Sequence, residues 1–384
     1  MASEYGACFV VLQPFAEGGG VLYGRNSYAA RNEVTEVLYF PASGDSAPRQ
    51  VSKCASANSR RCVTLSLLLS QCASVEVEGA AALPVILSGP AGAAAADSGA
   101  NERGVALGLC YAANEAPGGL AGVELVRLGL ERGATAAQAV EAIGALVEKH
   151  GQEGKDAPRS AFVACDAGEA WLLSVVGNLW AAERLTEGFH ACPRGLNVRT
   201  RIDKSCADLR DKAQSLGVWD GSGDFSFAAA FGCSAAAAAF PVNAPAAEAS
   251  FTLTHMFQVL RADELQQDAV VSSHVSALAA RGAPCHWFTA TPNARESVFK
   301  PFVFTRAARI SPLTVLDAGR SDQTLLFKYH RGRNWAAVGN LLASLEETCV
   351  AEVKDVLASA HDAENHELED LMKDCVEAEV KFYR

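Results

Sequence analysis

The sequence contains no CxxC pair, although it holds 12 cysteines in 384 residues. Cys8, Cys54, Cys62, Cys72, Cys110, Cys165, Cys192, Cys206, Cys233, Cys285, Cys349 and Cys375 are scattered, and none sits with histidines at zinc-ligand spacing. A secreted disulfide framework belongs to much smaller chains, so reduced core thiols are expected. There is no basic block either: 33 Lys and Arg face 44 Asp and Glu, for a net charge of -11. Such a chain repels phosphate backbones and anionic lipid, so nucleic acid is not an expected partner. No apolar run approaches the roughly 20 residues that span a bilayer. The seven residues ahead of Cys8 are too few and too polar for a signal peptide. A cytoplasmic protein without membrane insertion is expected. Neither GxGxxG nor GxxxxGK[ST] follows any predicted strand, so no nucleotide site is expected.

What is present reads as strands, a helix pair, then strands. "CFVVL" (8–12) and "VLYG" (21–24) are apolar runs separated by Pro14 and the Gly18–Gly20 turn signal. "EVTEVLYFP" (33–41) and "LPVILSGP" (83–90) predict two further strands. "GVELVRLGLERG" (122–133) predicts a helix. A second helix opens at Thr135 with Gln138 at capping-box spacing, repeats Val140, Ile143, Leu146 and Val147 on one face, and stops at Gly151. Residues 160–185 alternate as a β-meander turning at Asp166–Glu169. This order favours α+β over repeated βαβ units. Two alanine-rich stretches (89–100 and 228–249), interrupted by Gly and Pro, read as mobile insertions. Beyond about residue 320 two helical stripes follow: Trp335, Val338, Leu341, Leu345, Cys349 and Val353, then Leu368, Leu371, Met372 and Cys375. The predicted organisation is a main domain over 1–319 and a helical C-terminal extension over 320–384 packed on it.

Two readings stand for Cys8. A cysteine opening a strand is ordinarily a core thiol. If the Ala7–Cys8 bond is cut, the same residue carries a thiol and a free α-amine, whose ordinary pKa of about 7.7–8.0 suits it to act as base for its own side chain. Arg25, across one turn in "YGRNS", is either a solvated hairpin-end charge or a cation placed beside the thiol. The histidines suggest no rival centre. His150 ends a helix, and His255, His274 and His286 read as core or surface residues, not as members of a Cys–His dyad.

Seven segments resemble secernins, in the secernin order and over nearly the whole chain: "YGRNSYAARNEVTEVLYFP", "SGANERGV", "VELVRLGLERG", "EAWLL…GNLWAAERLTEG", "GVWDGSGDFSFAAAF", "FTATPNARESVFKPFVF" and "LEDLMKDCVEAEVKFYR". Secernins are similar to the dipeptidase branch of the cysteine N-terminal-nucleophile hydrolases. The resemblance implies a four-layer αββα sandwich of two antiparallel sheets, with Cys8 as the N-terminal nucleophile and residues 1–7 as a propeptide. The family's Gly-basic-Asn-Ser segment falls on Gly24, Arg25, Asn26 and Ser27. Arg25 would orient a substrate carboxylate or stabilise the thiolate, and Asn26 would help hold the reacting group. Asn114 would donate to an oxyanion if a five-residue insertion loops out; an ungapped match puts Leu109–Cys110 there instead.

The chain also departs from that pattern. Tyr28 stands where related enzymes often carry an Asp that binds the new α-amine, and Gly92–Ser98 replaces a tryptophan-rich stretch. Ser174 replaces a usual Glu, and Arg194 stands where some relatives have Asn. Two functions follow as expectations. One is a secernin-like cysteine dipeptidase or amide hydrolase acting on a small peptide or amide, requiring neither metal nor organic cofactor. The other is a catalytically degenerate secernin-like protein that binds protein partners through the helical tail and the alanine-rich insertions, within a larger secretory or cytoskeletal assembly.

Overall fold

Alternate side chains of the first strand enter two different cores. The computed structural model describes residues 6–29, 33–44, 49–52, 74–78, 81–93, 95–113, 120–154, 156–232, 250–266, 270–280, 282–317, 322–359 and 368–384. In β1 (Ala7–Val11), Cys8 and Val10 join one hydrophobic cluster, while Phe9 and Val11 join another. Period-two alternation therefore makes this apolar run a strand buried on both faces.

β1 lies in a six-stranded antiparallel sheet. Its order is β12 (Phe189–Cys192), β1, β2 (Val21–Tyr28), β14 (Val270–Leu278), β15 (Cys285–Phe288) and β16 (Lys300–Val303). The second sheet has eight strands. Its order is β13 (Lys204–Ser205), β11 (Leu179–Leu185), β10 (Ala170–Val176), β9 (Arg159–Cys165), β8 (Ala106–Ala113), β7 (Ser98–Asn101), β6 (Val85–Pro90) and β3 (Thr35–Phe40). β4 (Arg49–Ser52) and β5 (Ser74–Val77) pair apart from both.

Helices α1 (Gly122–Arg132) and α2 (Ala136–His150) cover the outer face of the eight-stranded sheet. Thr135 caps α2 as expected, accepting from the Gln138 amide at 3.2 Å; in return Gln138 Oε1 accepts from the Ala134 amide, one residue earlier than a capping box requires. The outer face of the six-stranded sheet packs on α3 (Leu253–Leu260), α5 (Trp335–Ser359) and α6 (Leu371–Tyr383), with α4 (Leu325–Gly332) against α6. The layers run helix, sheet, sheet, helix, the αββα arrangement expected from the sequence. Among the described residues no helix is long and apolar enough to cross a membrane.

The tail is held by charge as well as by its apolar stripe. Lys300 Nζ on β16 lies 2.8 Å from Glu379 on α6, both side chains fully buried, and Arg261 donates two 2.8 Å bonds to Glu346 of α5. The expected stripe is shifted in one place. Leu341 is exposed and its neighbour Leu342 takes the buried position.

One expectation is corrected. The first alanine-rich stretch is no mobile insertion: Ala93, Ala95 and Ala96 are buried, and its end forms β7. Small side chains let this turn thread close to neighbouring backbone; a Cβ on Gly89 would stand 2.5 Å from the Ala95 carbonyl oxygen. In the second stretch residues 228–232 are described, with Phe227–Ala230 helical, and 233–249 lie outside the described residues.

Candidate active site

Cys8 faces the space between the sheets, fully buried. In the strand register it stands opposite Cys192 of β12 and Arg25 of β2, and Arg25 stands opposite His274 of β14. Directly opposed residues share a face, so these four side chains form one row on the inner surface of the six-stranded sheet. The eight-stranded sheet comes close above it at Gly108, where a Cβ would stand 1.9 Å from the Tyr23 hydroxyl and 2.8 Å from Arg25 Cδ. Glycine is required there by proximity.

Arg25 is not the solvated hairpin-end charge that one reading allowed. It is fully buried, and each guanidinium nitrogen is engaged. Nε and Nη2 donate to the Leu109 carbonyl at 3.1 and 2.8 Å; Nη1 donates to Ser27 Oγ and pairs with Asp97 at 3.1 Å. The β8–β9 register shifts between Leu109 and Tyr111, so the Leu109 carbonyl and Cys110 sit at a β-bulge. Bulges commonly re-aim groups in this way at the edge of a site. Burial opposes the Arg25 charge, but Asp97 and then Cys8 favour it, and its pKa is raised.

Burial alone would push the Cys8 thiol up. A hydrogen bond with Cys110, the Arg25 cation and the Tyr23 hydroxyl outweigh that, and the thiol falls below its ordinary range despite the opposing charge of Asp97. Burial and the neighbouring Cys8 push Cys110 well up.

The remaining candidates fall elsewhere. Asn26 points to the opposite face from Cys8: its Nδ2 donates to the Leu260 carbonyl at 2.9 Å, and its Oδ1 accepts from Ser273 at 2.6 Å. Its side chain fastens β2 to α3 and β14, and does not reach the thiol. Asn114 lies outside the described residues. Ser174 is buried and accepts from the Asn197 and Val198 amides, both at 3.2 Å. Tyr28 is buried, which raises its pKa, and the Arg194 guanidinium lies 4.6 Å from its ring centroid.

Sequence reasoning missed Tyr23, Asp97, Ser98, Cys110 and His274. Tyr23 is two residues from Arg25 on the same strand face, a signal that period-two alternation carries. Asp97 is the single carboxylate in the alanine-rich stretch 89–100. Nothing local marks His274, whose place opposite Arg25 depends on a strand pairing some 250 residues apart in the chain.

No protein-family model matches the sequence. Among solved structures, a Caenorhabditis elegans ortholog of N-acylethanolamine-hydrolyzing acid amidase is similar at 12% identity and a TM-score of 0.34, over 70% of this chain and 91% of that one. A mutant of the conjugated bile acid hydrolase from Clostridium perfringens is similar at 11% identity and a TM-score of 0.40, over 78% of this chain and 92% of that one.

Proposed function

We propose that the protein is a cysteine N-terminal-nucleophile hydrolase of the secernin-like dipeptidase type, acting on a small peptide or amide. The observation that carries this reading is the placement of Cys8. It lies at the start of the first strand, faces the space between two stacked antiparallel sheets, and stands opposite a buried arginine whose charge favours its thiolate. Removal of residues 1–7 leaves Cys8 with a free α-amine. Its sulfur attacks the amide carbonyl, the amine nitrogen departs with a proton from the α-ammonium, and water hydrolyses the thioester to acid and free thiol. Arg25 stabilises the thiolate. Its nitrogens are already committed to Leu109, Ser27 and Asp97, so this role suits it better than holding a substrate carboxylate.

A second reading, a protein that keeps the fold and binds partners, is favoured by the complete burial of the Cys8 side chain. The last residues ahead of Cys8 lie against β2, beside Arg25. Gly6 packs so closely on β2 that a Cβ there would stand 2.2 Å from the Asn26 carbonyl and 2.8 Å from Arg25 Cζ.

Intact-mass measurement of natively purified protein separates the two. The hydrolase reading expects loss of residues 1–7, retention of them in Cys8→Ala, and hydrolysis of small amides by the cut form alone. A wild-type chain that keeps Met1–Ala7 refutes it and leaves the binding role.

A further inference from the structure

The Cys8 sulfur is one end of a buried row of polar groups that the hydrolytic scheme leaves unused. Tyr23 Oη lies 3.6 Å from it, and Ser98 Oγ lies 3.4 Å from Tyr23 Oη, the longest step that does not involve sulfur. Ser98 Oγ is 2.6 Å from His274 Nδ1, His274 Nε2 is 2.9 Å from Ser276 Oγ, and Ser276 Oγ is 2.8 Å from His286 Nδ1. All six residues are buried. The His274 ring is fixed in place, stacked on Phe288 at 4.3 Å and met edge-on by Tyr23 at 5.4 Å.

The direction of the hydrogens follows from the far end. His286 Nε2 is buried without a hydrogen-bond partner. A buried unpaired N–H is rarer and costlier than an under-used acceptor, so the ring hydrogen belongs on Nδ1. Both rings are neutral: burial, then His286 and Arg25, hold His274 well below the ordinary range, and burial takes His286 to about 3. With one hydrogen per ring, and with these hydroxyls bonded to no acceptor outside the row among the described residues, a single direction uses every hydrogen. His286 Nδ1 donates to Ser276, Ser276 to His274 Nε2, His274 Nδ1 to Ser98, Ser98 to Tyr23, and Tyr23 to sulfur.

We infer that Tyr23, Ser98, His274, Ser276 and His286 form a one-way hydrogen-bond chain that delivers its last hydrogen to Cys8 and holds it as the thiolate. The inference rests on Cys8 being the nucleophile of the proposed hydrolase. It supplies what that scheme lacks before cleavage, because an uncut chain has no free α-amine at Cys8. The five are positioning residues, acting through Tyr23. The other titratable groups around the sulfur are Arg25 from β2, Cys110 from β8, Cys192 from β12, Cys165 from β9, and Asp97 ahead of β7.

The test reads thiolate ultraviolet absorbance against pH in the full chain, with Cys8→Ser as the blank, so that no reagent has to reach a buried sulfur. Tyr23→Phe is expected to raise the Cys8 midpoint by about one pH unit, the scale of a lost hydrogen bond to a charged group. Ser98→Ala and Ser276→Ala, small changes that leave the ring packing intact, are expected to raise it by about half as much. An unmoved midpoint in Tyr23→Phe overturns the inference. So does a shift in Tyr23→Phe with none in either serine variant, since Tyr23 would then act alone. Midpoints that move as expected in a chain never cut ahead of Cys8 refute the hydrolase reading and leave the hydrogen-bond chain standing.

Discussion

Acid should unfold this protein through its buried histidines, and the size of the effect follows from where they sit. His286 lies between the sheets and His330 on α4, where Arg333 and Lys300 act in the same direction as its burial; both are taken from an ordinary 6.5 to about 3. His274 shifts in the same direction. A folded-state pKa below the unfolded value means that the unfolded chain binds more protons in the window between them, so stability falls as pH falls through it. At pH 5, 1.5 units below the ordinary value, each of His286 and His330 costs about 2 kcal/mol, or about 4 kcal/mol together, with His274 adding to the loss. That is a large part of the roughly 5–15 kcal/mol that separates folded from unfolded domains. Urea unfolding followed by tryptophan fluorescence, repeated in steps from about pH 7 to about pH 5, measures it. His330→Gln isolates one contribution: whatever its stability at neutral pH, it should lose about 2 kcal/mol less than wild type across the window. A urea midpoint that holds or rises on acidification refutes the assignment of these rings as buried and neutral.

Two further outcomes are expected. Breaking the buried Lys300–Glu379 pair by Lys300→Met alone should cost about 3–5 kcal/mol in urea unfolding, and adding Glu379→Leu should recover most of it, because the single change strands a buried charge. Gly6→Ala in a chain that keeps residues 1–7 should cost about 1–3 kcal/mol by crowding Asn26 and Arg25; an unchanged midpoint shows that the segment does not pack on β2.

Local signals carried much of this architecture. The strands at 8–12, 33–41 and 83–90 appear as β1, β3 and β6, and the meander at 160–185 appears as β9 to β11 with Asp166 capping its turn through bonds from Gly168 and Glu169. Each depends on period-two alternation and turn residues within ten or so positions. The surroundings of Cys8 depend on longer reach. Arg25 can be placed opposite Cys8 through a short hairpin, but Asp97, Cys110 and His274 arrive from β-strands or turns of remote sequence. The alanine-rich stretch misled because composition alone does not distinguish a solvated loop from a turn whose small residues fit between two sheets; Ala95 and Ala96 are almost wholly buried. The resemblance gives Asn26 a role at the nucleophile through its Gly-basic-Asn-Ser segment, yet Asn26 and Arg25 are adjacent on a strand and so face opposite ways.

Tyr28, Gly92–Ser98, Ser174 and Arg194 lie far apart along the sequence. In space they meet partners. Tyr28 and Arg194 are 166 positions apart, and the guanidinium of one lies 4.6 Å from the ring of the other. The stretch Gly92–Ser98 brings Asp97 to 3.1 Å from Arg25 and Ser98 to 2.6 Å from His274. Ser174 accepts from two amides of the loop that follows Arg194. Asp97 stands beside Arg25, the cation that favours the Cys8 thiolate. The inner face of the six-stranded sheet is therefore a polar site around Cys8, and its chemistry has to be read from Tyr23, Asp97, Ser98 and His274 together with Arg25.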